Sequence, residues 1–390
     1  MAAVWIVAFS CSVSSATASQ PKDFFGVVAQ GPLVAKDYER MGSGNVGSLR
    51  IPISWAQTQP AAGEYRWEPL DSIIGQAASA GVDVLPFVYS TPRWVENNPS
   101  RPPIDSPEAR NAWRSFLAEL VGRYGTSGTF WDSHPDPLPI RRWQMWNEPN
   151  FPIYWQPRPS AREYAQLLEI SAETIRATDG RAKIVAAGVA PVTTGPWPWD
   201  YMADLYDVPG VERYFDEAAL HPYSRELRSL RLQVRRVRRV MQNAGDGATP
   251  LTITELGWPS RLPRGVPGAT PRTQARNLSD AFSLLQERRK VWNISGVNWF
   301  SWQDAEEVEP GCNFCPRAGL FKLSQKPKPA WREFKHFSKQ RTTPSATADL
   351  GGGSGSDRLL GRRESKLRAR SKRFNPSGPP GSTAHWLRDQ

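Results

Sequence analysis

Short apolar runs alternate along this chain with longer segments in which apolar residues recur every three or four positions. The short runs predict strands, and the longer segments predict amphipathic helices. Several helical segments open with Ser, Thr or Asp, residues that cap the first turn of a helix. The eight predicted strands cover residues 24–30, 46–55, 82–90, 140–148, 183–190, 215–223, 250–258 and 296–302.

This alternation favours an α/β fold of the (β/α)8 TIM-barrel type, in which each parallel strand is followed by a helix. The alternative is a doubly wound open sheet, which normally carries a Gly-rich phosphate loop after its first strand. The segment VVAQGPLVAKD, at that position, contains no such loop. We therefore predict one catalytic barrel domain over residues 19–341.

Both ends of the chain differ from the predicted barrel. A short apolar run followed by Ala16-Thr17-Ala18 is typical of a secretory signal, although it lacks Lys or Arg at its start. It predicts a signal peptide over residues 1–18 and a secreted or extracytoplasmic protein, with no other membrane segment. Residues 342–390 are rich in Gly, Ser, Pro and Arg and poor in apolar residues, which predicts a disordered tail.

The distribution of charge decides what the formal net charge of +11 means. Residues 341–390 hold ten Lys or Arg and four Asp or Glu. A second basic segment, residues 225–242, has apolar residues at helical spacing and predicts an outer amphipathic helix with a solvated basic face. Charge placed in a tail and one outer helix does not favour a nucleic-acid partner. The tail is either simply solvated or an electrostatic contact to an anionic cell envelope.

Two residue types leave alternatives open. The 17 tryptophans fill a large core or form flat platforms for sugar rings. Trp197 and Trp199, in GPWPWDY (195–201), are the best candidates for an added wall of a cleft. The CNFC pair Cys312 and Cys315 is compatible with redox chemistry or half a zinc site, but no second Cys/His pair accompanies it. In an exported protein a local disulfide is favoured.

Polar residues stand at the ends of several predicted strands, where a (β/α)8 barrel places its working groups. Two of them are carboxylates in apolar contexts, Glu148 in QMWNEPN and Glu255 in LTITELGW. A buried carboxylate without a partner is costly, so the placement of both by chance is disfavoured. The other residues of the set are Arg50, Asn147, His221, Tyr223 and Trp302.

A pair of carboxylates across a cleft is what glycoside hydrolysis needs. One carboxyl must be protonated to donate a proton to the leaving oxygen, and the other must be ionised to attack the anomeric carbon. Arg50 and Tyr223 are suitable to keep one glutamate ionised. Trp146 and other indoles are suitable to keep its partner protonated.

The segments WNEPN and TELGW resemble the acid/base and nucleophile motifs of clan A, the retaining glycosidases with (β/α)8 barrels. Within the clan, residues 24–337 are most similar to family 39 and family 5 enzymes, which are β-xylosidase-like and cellulase-like. Many family 5 enzymes have a His after strand three, whereas this chain reads FVYSTPRW, so that Tyr89 or Trp94 lines the wall instead.

The resemblance implies a role for each matching residue. Glu148 corresponds to the general acid/base, preceded by Asn147, and Glu255 corresponds to the nucleophile. Arg50 corresponds to an arginine near the nucleophile. Three further residues correspond to groups that orient the nucleophile and hold the sugar: His221, Tyr223 and Trp302, the last as the floor of the subsite for the cleaved sugar.

The predicted function is therefore a retaining β-glycosidase acting on a polysaccharide or oligosaccharide. The chemistry requires neither metal nor organic cofactor, and no metal-ligand spacing stands out in the sequence. The alternative from another class is a non-catalytic carbohydrate-binding barrel of the cell envelope. The sugar, the linkage, and internal against terminal cleavage are left open by the sequence.

Overall fold

A computed structural model describes residues 21–261, 269–306, 312 and 314–339. Eight parallel strands form a closed barrel in sequence order, and the last strand pairs with the first. This confirms the predicted (β/α)8 fold. The strands are β1 Phe25–Val28, β2 Ser48–Ser54, β3 Asp83–Tyr89, β4 Arg142–Met145, β5 Lys183–Val189, β6 Glu217–Leu220, β7 Leu251–Leu256 and β8 Ile294–Phe300.

Helices surround the barrel and cover its outer face. The α-helices of the described residues are α1 Ala35–Ser43, α2 Trp55–Thr58, α3 Glu68–Ser79, α4 Pro107–Tyr124, α5 Ala161–Thr178, α6 Pro198–Tyr206, α7 Leu227–Asn243, α8 Pro271–Glu287 and α9 Pro329–Lys339. Short 3₁₀ turns lie at Thr129–Asp132, Val211–Tyr214 and Cys315–Arg317. Ser106, Ser160 and Thr270 accept hydrogen bonds from the first turns of α4, α5 and α8, which explains where these helices begin.

The strands β4 and β6 each end three residues before the patterns predicted. β4 ends at Met145 rather than at 148, and β6 ends at Leu220 rather than at 223. After β4 the backbone turns sharply, with φ of 71° at Trp146 and 39° at Glu148. Residues that looked like the last part of a strand therefore belong to loops above the barrel.

The basic segment forms α7 as predicted. Leu230, Val234, Val237 and Met241 are buried against the barrel. Arg238 is buried too, because its guanidinium donates to the carbonyl oxygens of residues in neighbouring loops. The remaining arginines of this helix are exposed or half-buried, which agrees with an outer helix that has a basic face.

No helix in the described part of the chain is both long and apolar enough to cross a membrane. The predicted signal peptide (1–18) and the predicted disordered tail (342–390) lie outside the described residues, so both stay predictions.

Candidate active site

The predicted polar site residues lie on or just after four strands and meet at the carboxyl end of the barrel. Arg50 lies on β2 and Glu255 on β7, while Glu148 and His221 follow the ends of β4 and β6. In a closed parallel barrel these strand ends share one face, so residues far apart in sequence become neighbours. One hydrogen-bonded network joins the predicted polar residues.

Glu255 is held by two donors. The Nη1 atom of Arg50 lies 2.5 Å from its Oε1 atom, and the hydroxyl of Tyr223 donates to its Oε2 atom at 2.6 Å. Burial by itself raises the pKa of Glu255, but the charges of His221 and Arg50 and these hydrogen bonds outweigh burial and hold the pKa below its usual range. Glu255 is therefore set up to be ionised.

Arg50 is fully buried, and each part of its guanidinium has a partner. Its Nε atom donates to Gln144 at 2.7 Å, and its Nη2 atom donates to the Oδ1 atom of Asn147 at 3.0 Å. The ring of Phe87 lies 4.0 Å from the guanidinium carbon. A buried cation needs such a complete set of contacts, and here the set fixes the direction of the bond to Glu255.

Glu148 contacts a different partner. Its Oε1 atom lies 2.7 Å from the Nδ1 atom of His221, and the other ring nitrogen of His221 lies 2.9 Å from the hydroxyl of Thr254. Burial raises the pKa of Glu148, more than the hydrogen bond and charge of His221 lower it. Glu148 is therefore the carboxyl of the pair that holds its proton to higher pH.

The ring of His221 fits because β5 carries a glycine beside it. A Cβ atom on Gly188 would lie 2.1 Å from the Nε2 atom of His221 and 2.8 Å from the hydroxyl of Thr254. Any larger residue at position 188 would displace the imidazole that contacts Glu148. Glycine is needed at this point for the close approach rather than for an unusual backbone angle.

The exposure of the network shows which groups reach solvent. Glu148 and Glu255 keep 9% and 8% of their surface exposed, whereas Arg50 and His221 are fully buried. The carboxylates are thus the part of the network that reaches solvent, and the arginine and histidine contact them from the buried side. One oxygen of Glu148 lies within 4.8 Å of one oxygen of Glu255.

Glu148, His221 and Glu255 form a group with the spacing of metal ligands, as judged from the described residues. The charges around them argue against a divalent cation. Both oxygens of Glu255 are already bonded, one of them to the fixed positive charge of Arg50, which would repel a metal ion at contact distance. The donor set suits proton transfer and nucleophilic attack better than metal binding.

Trp302 does not lie where the sequence placed it. Its indole is fully buried and packs against the rings of Phe321 and Trp331 at 4.6 and 5.3 Å. A buried ring of this kind has no face for a sugar. The chain leaves strand geometry after Phe300, the last residue of β8, and it is Phe300 whose ring contacts Tyr223 edge-on at 6.1 Å.

Trp94 lies in the loop after β3, on the same face of the barrel as the glutamates. Its ring packs edge-on against Trp55 at 5.8 Å, and its indole nitrogen donates to the carbonyl oxygen of Gln59. It is still partly exposed, as a wall of a cleft requires. Tyr89 is the last residue of β3 and is half-buried.

The predicted disulfide is present between Cys312 and Cys315. Between them, Phe314 turns inward, and its ring lies 5.1 Å from the ring of Tyr223. The cysteine loop therefore contacts the residue that donates to Glu255. The sequence predicted the disulfide but not the contact of Phe314, since a single phenylalanine in a loop carries no chemical signal.

Three further residues were missed: Gln144, Thr254 and Gly188. Gln144 and Thr254 are buried polar residues inside apolar strands, RWQM and LTITEL. That contrast is a usable signal, because a buried polar side chain needs a partner and here the partners are Arg50 and His221.

Comparisons with known proteins agree with the barrel. A glycoside hydrolase family model (family 42), described as β-galactosidase, matches residues 30–113, a segment that contains Arg50 but neither glutamate. No curated protein sequence matches the chain. Among solved structures, a family 39 glycoside hydrolase from Bacteroides cellulosilyticus WH2 is similar with a TM-score of 0.62 and 18% identity. The match covers 82% of this chain and 64% of that one, so the chain spans less than two thirds of that protein.

Two more structures are similar over a comparable share of the chain. A GH5_18 protein from Bifidobacterium longum subsp. infantis has a TM-score of 0.62 and 16% identity, with 83% of this chain and 80% of that chain covered. A monomeric β-xylosidase from Caulobacter crescentus CB15 has a TM-score of 0.58 and 18% identity, with 82% and 69% covered. At such identities the likeness defines the fold: this chain has the (β/α)8 barrel found in these glycoside hydrolases.

Proposed function

We propose that the protein is a retaining β-glycosidase that hydrolyses O-glycosidic bonds in a polysaccharide or oligosaccharide. The observation that carries the proposal is the separation of the two carboxylates. Oxygens of Glu148 and Glu255 lie within 4.8 Å of each other. Retaining enzymes place their carboxyl groups roughly 5–5.5 Å apart, and inverting enzymes leave roughly 6.5–9.5 Å for a water molecule.

The opposite pKa shifts support a different role for each carboxyl. In the first step the ionised Glu255 attacks the anomeric carbon, and the bond to the leaving oxygen breaks as Glu148 protonates that oxygen. In the second step Glu148 removes a proton from water, and the resulting hydroxide displaces Glu255 from the anomeric carbon. The sugar leaves with its original configuration, and both carboxyls return to their starting states.

The surrounding residues support these two roles. Arg50 and Tyr223 stabilise the negative charge of Glu255 before attack and after its release. His221 orients Glu148 from behind. Asn147, held by Arg50 at 3.0 Å, lies beside the acid and is suited to contact a sugar hydroxyl. This division of partners favours catalysis over a non-catalytic binding barrel, which needs no pair of carboxyls with opposite pKa shifts.

Export belongs to the same proposal. The predicted signal peptide over residues 1–18 and the Cys312–Cys315 disulfide both suit an oxidising, extracytoplasmic location. There the basic tail over residues 342–390 would meet an anionic envelope. The substrate is a carbohydrate, and the mechanism uses no cofactor.

The test is hydrolysis of a panel of aryl β-glycosides by the full chain and two variants. Glu255→Ala abolishes turnover, and azide restores it with an inverted glycosyl azide, because the azide replaces the missing nucleophile. Glu148→Gln lowers turnover without azide-dependent inversion. Glu287→Ala, an exposed glutamate at the end of α8, is the matched control and keeps wild-type rates. If both site variants kept wild-type activity, the double-displacement mechanism would be excluded.

A further inference from the structure

Two tryptophans form a stack near the loop after β4 that carries Glu148, which we call the acid/base loop. The hydrogen-bonded network around the glutamates does not include them. Trp197 precedes α6, and Trp199 lies in its first turn. Their rings are 5.1 Å apart and nearly parallel, with 8° between the planes. Trp197 is 38% exposed, so a large part of a flat indole faces solvent. An exposed aromatic face that is held rigidly is suited to stack on a sugar ring.

The stack continues onto the basic helix. The guanidinium carbon of Arg236, from α7, lies 4.4 Å from the ring of Trp199. Trp199 therefore has contacts from an arginine and from an indole, and Trp197 is the outermost member. The three side chains form one unit, which we call the Trp197 platform, and this unit joins an aromatic surface to a cationic one.

A direct contact ties the platform to the acid/base loop. The side-chain amide of Asn150, two residues after Glu148, donates to the carbonyl oxygens of Ala190 and Pro196 at 2.7 and 3.1 Å. Pro196 is the neighbour of Trp197. A Cβ atom on Gly195 would lie 2.0 Å from the carbonyl oxygen of Asn150, so the two loops pack backbone against backbone. The position of Trp197 relative to Glu148 is therefore set by the fold.

The position of the platform determines which part of the substrate it contacts. The acid/base donates its proton to the leaving oxygen, so the sugar that leaves lies on the Glu148 side of the cleaved bond. Asn150 joins the loops after β4 and β5, which places the Trp197 platform on that side. A platform there contacts the leaving part of a chain of sugars and has nothing to bind when the leaving group is small.

The charge on α7, the helix that supplies Arg236, gives the chemistry of what the platform binds, while α6 itself carries Asp200 and Asp204. Residues 225–243 contain seven arginines and one acid, Glu226, which pairs with Arg228. Six of the arginines are exposed or half-buried, all but Arg238. A sugar chain that carries carboxylates, sulfates or phosphates finds cations along this helix, whereas a neutral chain gains nothing from them.

We propose that the Trp197 platform and the arginines of α7 bind the leaving-group part of an anionic polysaccharide. The proposal rests on the proposed hydrolase function for the direction of the bond and deepens it by naming the substrate class. The proposed binding differs from the attraction of any polyanion to a basic protein, because the uncharged indoles of Trp197 and Trp199, and the contact of Trp199 with Arg236, are part of the site.

The first experiment measures binding of the full chain by affinity electrophoresis in gels that contain polygalacturonate, alginate, neutral xylan or neutral mixed-linkage β-glucan. Wild type is retarded by an anionic polymer and not by a neutral one. Trp197→Ala leaves the charge unchanged and weakens that retardation about tenfold. Arg236→Gln weakens it and reduces its salt dependence. Arg332→Gln, a highly exposed arginine on α9, matches this loss of charge and binds as wild type.

The second experiment compares turnover on a carboxylated oligosaccharide with turnover on an aryl glycoside. In Trp197→Ala the ratio of the two kcat/KM values falls about tenfold. The proposal is overturned if every anionic polymer retards Trp197→Ala as strongly as it retards wild type. It is also overturned if single-stranded DNA or anionic vesicles compete with the anionic polymer equally well for wild type and for Trp197→Ala. Failure of the hydrolase function is distinguishable, since wild type would then cleave no aryl glycoside while the electrophoresis still reports binding.

Discussion

The ring of Phe314 packs 5.1 Å from the ring of Tyr223, whose hydroxyl donates to Glu255 at 2.6 Å. This contact links a disulfide loop to the residue that bonds Glu255, the proposed nucleophile. We expect Phe314→Ala to free the Tyr223 ring and weaken its bond to Glu255. The value of kcat/KM then falls about tenfold, as for loss of one hydrogen bond to a charged group, and the acidic limb of its pH profile moves to higher pH.

Phe314→Leu, which keeps an apolar side chain at this position, is the companion variant and is expected to lose less activity. A purely structural role for Phe314 would lower stability in both variants and leave the acidic limb unchanged. The pH profile, measured on protein that remains folded, separates the two roles.

The disulfide itself is predicted to act through Phe314. The double variant Cys312→Ser with Cys315→Ser removes the cross-link that holds the two ends of this short loop. We expect a fall in kcat/KM in the same direction as in Phe314→Ala and a similar shift of the acidic limb. Incubation of wild type with a reductant reproduces the effect, while the double variant does not respond to the reductant. Equal activity of reduced and oxidised wild type would contradict this prediction.

Arg50→Lys is predicted to raise the pKa of Glu255. Lysine keeps a positive charge but lacks the planar fork that contacts Gln144, Asn147 and Glu255 together. Because Arg50 holds the pKa of Glu255 below its usual range, a weaker contact lets the pKa rise, and activity is lost at a higher pH as the medium is acidified. We expect kcat/KM to fall about 10²–10³-fold. An acidic limb that stays in place would show that Arg50 does not act on Glu255.

Glu148→Gln is predicted to remove the basic limb of the pH profile. The pKa of Glu148 is raised by burial, so wild-type activity declines as pH rises through that pKa and the acid loses its proton. Glutamine keeps the contact to His221 but has no proton to lose in this range. We expect kcat/KM to fall about 10²–10⁴-fold for a sugar leaving group, and much less for a nitrophenolate, which leaves without protonation.

The buried pair of Asp304 and Lys328 is predicted to stabilise the loop after β8. Their charged atoms are 2.5 Å apart, and Lys328 also donates to Ser260 and to the carbonyl oxygen of Arg317. Asp304→Asn leaves the ammonium buried without its counter-charge, which costs about 3–5 kcal/mol in the free energy of unfolding. The double variant Asp304→Leu with Lys328→Met is expected to lose less, and urea denaturation compares the two. Equal losses would mean that packing, and not charge, dominates here.

The sequence determined the fold and indicated the two glutamates as the candidate reacting groups. Strand and helix periodicities are local, so eight strands and the helices between them follow from spacing alone. The two glutamates were recognisable because each stands in an apolar sequence context, where burial of a carboxylate without a partner is costly.

Tertiary structure decided which partners surround those groups. Whether Glu148 holds its proton and Glu255 loses it depends on burial and on partners far away along the chain. Glu148 and His221 are 73 positions apart, and Arg50 and Glu255 are 205 positions apart. The indole of Trp146, expected to raise the pKa of Glu148, packs against Trp113 and Trp155, and burial as a whole produces the shift.

The site residues that were misplaced or missed also depend on the tertiary structure. Trp302 was placed at the rim because it follows a strand pattern, but the strand ends at Phe300, and beyond it the direction of a side chain no longer follows the alternation of a pleat. Phe314, Gly188 and Asn150 are important only through distances across the barrel end. A one-dimensional pattern contains the residue types, but the closing of eight strands into a ring decides which of them meet.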